Sequence, residues 1–180
     1  MPHIYLKFKP TTMKARLLKM FVPMALVFTM ISCSNEETAD ETKLLPSEKL
    51  VTEYSYKDDE LELANLINEY RVSSGKNELQ MVNHFSYKSE EHNDYMIVRK
   101  VVNHDYFEVR SNNIIQLLGA LKVGENLAYN FSTPNAALHA WLNSPGHKAN
   151  IEGDYTHFGI SISVDPDNGK KYFTNIFMKR

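Results

Sequence analysis

Three side chains in this sequence have the types and the setting to build one polar pocket: His104, Glu125 and His147. Glu125 follows a glycine in Gly124-Glu125-Asn126-Leu127-Ala128, which reads as a carboxylate on a turn that leads into a short helical pattern. His147 closes Ser144-Pro145-Gly146-His147, which has the chemistry of a type II turn, with proline fixing φ and glycine accepting φ > 0. His104 stands in the turn-like run Asn103-His104-Asp105-Tyr106. Two imidazoles and a carboxylate can hold a divalent cation weakly, preferring Zn²⁺ or a similar ion and leaving the other positions to water. They can also change charge near neutral pH. Each residue has a plain structural counterpart as well. His104 serves equally as a residue at a helix C-terminus favoured by the dipole, and Glu125 could simply bond backbone N–H groups and tie helix ends together. A Ser144–His147–Glu125 triad can be drawn. However, serine is expected in a tight turn on conformational grounds alone, and no G-x-S-x-G elbow is present. A metal-bound water on His104 and His147, with Glu125 as base, is the sounder hydrolytic chemistry.

Periodic segments on either side must position these groups. Apolar residues at helical spacing (Leu63, Leu66, Ile67, Tyr70) predict a helix from Asp58 to Val72, with Asp58 or Asp59 able to cap it. Leu79 to Val82 is a short connection, and His84 to Val101 is a second helix. In that helix Phe85, Ser89, His92, Met96 and Arg99 share a face, so His92 reads as a core histidine with a structural role. Arg110 to Leu121 reads as a third helix, capped by Ser111 or Asn112, with Ile114, Ile115, Leu117, Leu118 and Leu121 as its apolar positions and Lys122-Val123-Gly124 ending it. Thr133-Pro134 opens another helix, with threonine as cap and proline in the first turn; Ala137, Leu138, Trp141 and Leu142 make its buried face. His157 to Val164 and Lys171 to Met178 alternate as strands around the turn Asp165–Lys170. Helices first and a hairpin last give an α+β class. Asn126 and Asn150 are read as structural, since asparagine in loops usually satisfies nearby backbone.

These residues, in order, resemble the CAP superfamily (cysteine-rich secretory, antigen 5 and pathogenesis-related proteins) in its disulfide-free bacterial form. Ile67-Asn68-Glu69-Tyr70-Arg71 is similar to the family's L-N-x-x-R, His92 to Met96 to its H-x-x-x-M, and Val102-Asn103-His104 to its F-S-H. Gly124 to Ala128 is similar to G-E-N-[IL]-A, and Ala140 to Ile151 to A-W-x-x-S-P-G-H-x-x-N-I. The resemblance implies a CAP-type α-β-α sandwich. It places His104, Glu125, Ser144 and His147 along a central cleft, and makes His92, Asn126, Trp141, Pro145, Gly146 and Asn150 structural. A second glutamate found in many eukaryotic members is replaced here by Ser144.

The basic residues are unevenly placed. Five precede Cys33 with no acidic residue among them, so the remaining chain carries 15 basic against 22 acidic residues, a formal charge of −7. Such a chain is a poor partner for nucleic acid. Basic residues, the apolar run Phe21 to Ile31 and a small residue before Cys33 give residues 1–32 the layout of a signal peptide, with Met13 an alternative start. Met30-Ile31-Ser32-Cys33 resembles a bacterial lipobox, so the single cysteine is expected to be lipidated and to hold the protein at a membrane surface. Residues 33–57 read as a polar, acidic tether, and residues 58–180 as the folded domain. The leading expectation is an exported, lipid-anchored, monomeric binding or scaffold module at the cell envelope, with the outer membrane or cell surface favoured. Its ligand class would be a lipid, a cell-wall component, a protein or a weakly held divalent cation. The alternative is a metal-dependent hydrolase using His104, His147 and Glu125.

Overall fold

The computed structural model describes residues 49–180. The expected signal peptide, Cys33 and most of the tether lie outside them. Five helices and four strands follow in the order α1 (Asp58–Ser73), β1 (Gln80–Met81), α2 (Asn83–Arg99), α3 (Phe107–Leu118), β2 (Lys122–Tyr129), α4 (Pro134–Leu142), α5 (Pro145–Ile151), β3 (His157–Val164) and β4 (Lys171–Lys179). The strands form one mixed sheet in the order β1-β3-β4-β2. The closing hairpin β3–β4 is antiparallel, β2 adds antiparallel to β4, and β1 adds parallel to β3.

Both faces of the sheet are covered. Successive strand residues point to opposite faces. Phe158, Ile160 and Ile162 of β3 therefore share one face with Phe173 and Phe177 of β4, packed with Leu63 and Ile67 of α1, Ala137 and Trp141 of α4, and Ile151 of α5. On the other face Ile176 and Met178 meet Phe85 of α2 and Ile114 of α3, while Leu127 and Tyr172 meet Met96. This is the α-β-α sandwich of an α+β protein. α2 lies so close to the sheet that a Cβ on Gly159 would meet the Ser86 nitrogen at 2.5 Å and the Phe85 carbonyl carbon at 2.7 Å.

Short β1 leaves most of the outer edge of β3 without a strand partner, and side chains satisfy it instead. The Ile160 N–H donates to Ser86 Oγ (3.1 Å), the Ile162 N–H to the buried Glu60 Oε1 (2.8 Å), and Lys57 Nζ donates to the Ile162 carbonyl (2.9 Å). Glu60 also accepts from the Lys57 N–H (2.9 Å), so it helps start α1.

Several local expectations are corrected. Gly124 to Ala128 is neither a turn nor helical: it lies within β2, because its residues pair along β4 from Gly124↔Phe177 to Ala128↔Phe173. Ser144-Pro145-Gly146 is not a type II turn. Pro145 opens α5, where its missing N–H costs nothing, and Gly146 is not among the positive-φ glycines. Neither Asp58 nor Asp59 caps α1; both lie inside its first turn behind Lys57. α3 starts a turn earlier than expected, after Tyr106 (φ 58°) rather than at Ser111 or Asn112, and ends at Gly119 (φ 68°). Only one side of α3 reaches the sheet, so Ile114 is buried while Ile115 and Leu117 are exposed; Leu121, expected in the helix, lies beyond its end and is exposed. Thr133 does cap α4, accepting from the Ala136 N–H (3.2 Å).

Gly159→Ala is expected to lower the unfolding free energy by about 1–3 kcal/mol, because the contact is backbone and cannot swing away. Urea unfolding of the variant checks this.

Candidate functional site

Glu125 sits on β2, the strand at one edge of the sheet, and points to the face covered by α2 and α3. Its side chain is 1% exposed. Arg110 of α3, one turn before the core residue Ile114, is also buried and meets it side-on, through Nε and Nη2. Arg110 Nε donates to Glu125 Oε2 (3.0 Å), and Nη2 donates to Oε1 (2.9 Å) and Oε2 (2.8 Å). A two-pronged guanidinium–carboxylate pair is among the strongest neutralising arrangements available to a buried carboxylate. The third donor is His104, whose Nδ1 lies 2.8 Å from Glu125 Oε1. An ionised carboxylate only accepts, so Nδ1 carries a proton and donates it. The His104 side chain is half exposed.

The loop that presents His104 is pinned along its length. Lys100 (φ 54°) reaches Asp165 and Asp167 in the turn between β3 and β4. Asn103 Nδ2 and the Tyr95 hydroxyl both donate to Asp105 Oδ2 (2.9 and 2.8 Å), and Arg110 Nη1 donates to the Asp105 carbonyl (2.8 Å). Buried His92 lies 2.8 Å from the Asn103 carbonyl through Nε2, which must therefore carry the proton. Arg110 thus holds both the carboxylate and the loop bearing the imidazole that the carboxylate orients.

His147 arrives from the opposite side of β2, in the first turn of α5, and is half buried. The free edge of β2 faces α4 and α5, and two side chains seal it. Trp141 Nε1 donates to the Leu127 carbonyl (2.7 Å) and Asn150 Nδ2 to the Glu125 carbonyl (3.2 Å). Asn126 Nδ2 donates to the His147 carbonyl (3.0 Å), and its Oδ1 accepts from Asn150 (2.9 Å). The motif residues Asn126, Trp141 and Asn150 therefore fasten α4 and α5 to the sheet edge and fix where His147 stands.

Burial alone would raise the Glu125 carboxyl, but the His104 hydrogen bond and the Arg110 charge outweigh it and hold it below the usual carboxylate range. Burial pushes the Arg110 guanidinium down, with Glu125 opposing. Burial, and second the repulsion from His104 when that imidazole is protonated, lowers His147. Burial and then Arg110 push His92 down to about 4.

Of the residues expected along the cleft, His104 and Glu125 are in direct contact, and His147 is their electrostatic neighbour. Ser144 precedes α5 without capping it by its side chain, and the imidazole that Glu125 orients is His104 rather than His147. The Ser144–His147–Glu125 arrangement is therefore not the one formed. Both Glu125 oxygens and His104 Nδ1 are already committed, and a guanidinium occupies the side of the carboxylate a cation would need. Among the described residues, no group of three or more His, Cys, Asp and Glu side chains is arranged to hold a metal ion. The residue that sequence reasoning missed is Arg110. The signal was its spacing four residues before Ile114, which puts it on the inward side of α3.

A four-stranded sheet between two helical layers, with a Glu–Arg–His cluster at its edge strand, defines a CAP-type sandwich. The chain belongs to the CAP family, described as the cysteine-rich secretory protein family, whose model matches residues 64–177. Its single cysteine rules out an intrachain disulfide, in keeping with the disulfide-free bacterial form. Among solved structures it is similar to an outer surface protein from Borrelia burgdorferi (TM-score 0.62, 23% identity, 71% of this chain and 96% of that one). It is also similar to an extracellular protein containing an SCP domain from Bacillus anthracis str. Ames (TM-score 0.59, 24% identity, 68% and 40%). Among curated proteins, 60 residues are 45% identical to the uncharacterized membrane protein YlbC of Bacillus subtilis (strain 168), spanning 33% of this chain and only 16% of that protein.

Replacing Arg110 with Met should cost about 3–5 kcal/mol, since it strands a buried carboxylate. Adding Glu125→Leu should recover most of that loss; urea unfolding of the two variants checks both. A second expectation concerns pH. His92 has a lowered pKa, so the unfolded chain binds its proton first as pH falls. The stability that neutral His92 contributes is fully present above pH 6.5 and is lost as pH falls towards 4, on the order of 3 kcal/mol in total. Stability measured from pH 7 to 4 should therefore fall less steeply in His92→Gln than in the parent protein.

Proposed function

We propose that this protein is an exported, lipid-anchored CAP-domain module that binds a ligand at the cell envelope and does not catalyse hydrolysis. The observation that carries this reading is the commitment of Glu125 to Arg110. A carboxylate held by a guanidinium through both oxygens is neither a free general base nor an available metal ligand. What remains open to a ligand is His104, half exposed with its Nε2 turned to neither Glu125 nor Arg110, together with half-buried His147. This pair can accept from and donate to the hydroxyls or head group of a lipid-like or cell-wall molecule. The metal-dependent hydrolase alternative needs Glu125 as base, and so needs its release from Arg110 and His104.

Anchoring would fall to Cys33. No helix among the described residues is long and apolar enough to cross a membrane. Two lipid signals or more are needed for stable anchoring, which a diacylated cysteine would meet. The protein is proposed to act as a monomer facing the outer surface, with no nucleic-acid partner.

Imidazole resonances of the labelled protein, followed by NMR, test the site. Titration with a short-chain phospholipid below its critical micelle concentration, or with soluble cell-wall fragments, should shift His104 and His147 saturably. Saturable Zn²⁺ binding abolished by His104→Ala, together with Zn²⁺-dependent ester hydrolysis, would overturn the reading. Separately, Cys33→Ser should move the protein from the membrane pellet to the soluble fraction; retention in the pellet would contradict lipid anchoring.

A further inference from the structure

Asn175 lies in the middle of β4 and is fully buried, and neither its Nδ2 nor its Oδ1 has a hydrogen-bond partner in the protein. Its neighbours along the strand face are Phe173 and Phe177, and its register partner on β3 is Ile160. Its register partner on β2 is Asn126, also fully buried. A side-chain amide offers two N–H donors and two acceptor lone pairs. Asn126 uses one donor on the His147 carbonyl and one lone pair on Asn150, so one of each is left on the amide beside Asn175. Burying an amide with nothing bonded to it costs several kcal/mol, and proteins meet that demand with ordered water where two to four polar groups converge.

We propose that one ordered internal water bridges the Asn175 and Asn126 side chains between β4 and β2. The water accepts from one amide N–H and donates to a carbonyl oxygen of the other. Opposed strand residues bring their Cβ atoms within about 5 Å, so the two amides are near enough to share a hydrogen-bonding partner. The bridge completes a polar line from the centre of the sheet to α5: Asn175, water, Asn126, then the His147 carbonyl. The inference stands apart from the ligand and from the question of catalysis.

The test is a high-resolution crystal structure of the protein together with water ¹⁷O relaxation dispersion on the protein and on Asn175→Leu. The expected result is a density peak within hydrogen-bonding distance of both amides, and one fewer long-lived internal water in the variant. A dry site in the crystal structure, or an Asn175 amide bonded directly to a protein group, overturns the proposal even if the variant does not fold. Equal numbers of long-lived waters in the two folded proteins overturn it as well.

Discussion

A carboxylate with almost no contact with water must find its counter-charge inside the protein, and the arrangement around Glu125 follows from that demand. Leaving such a group ionised without partners costs far more than a small domain's net stability. Arg110 supplies the charge, and His104 supplies a third donor. Meeting the demand fixes much else. Arg110 must be reached from α3, so α3 must lie over β2. Its Nη1 needs a partner as well, and it holds the Asp105 carbonyl. That bond seats the loop on which His104 stands. The pair is costly to bury and its net worth to stability is small; its consequence is an imidazole held in one orientation.

The same need for partners governs both edges of the sheet. An edge strand exposes a row of unpaired backbone groups. Here Ser86, Glu60 and Lys57 seal one edge, and Trp141 and Asn150 seal the other. The second seal explains why tryptophan and asparagine stand where they do on either side of a proline: Trp141 is in the last turn of α4, Asn150 in the last turn of α5, and both reach alternate carbonyls of one strand. What looks in sequence like a string of active-site residues is, for the most part, the fastening of two helices to a sheet edge. His147 is carried on that fastening.

The α+β class, the closing hairpin, the threonine cap of α4 and the inward face of α4 were legible because each is written in local periodicity or turn chemistry. The middle of the chain was not. Gly124 suggested a turn, yet in the fold it is a strand residue that needs the room, since a Cβ there would collide with the Tyr155 hydroxyl. Proline and glycine in Ser144-Pro145-Gly146 suggested a reversal, but proline is equally at home in the first turn of a helix. Ile115 and Leu117 suggested a broad buried face because apolar spacing does not reveal how little of α3 meets the sheet, and Leu121 falls past the glycine that ends the helix. The site was half legible: its histidines and glutamate could be picked by type, whereas the role of Arg110 depends on a tertiary contact between a helix and an edge strand, which no local pattern encodes.

The central claim is that Glu125 is locked as an anion by Arg110 and His104. The most direct measurement is a pH titration of the Glu125 side-chain carboxyl carbon by NMR, with and without Zn²⁺. The account predicts that the carboxyl stays ionised below the ordinary glutamate value of about 4.3 and that its resonance does not respond to Zn²⁺. A midpoint at or above that value, or a saturable Zn²⁺-induced shift, would contradict it.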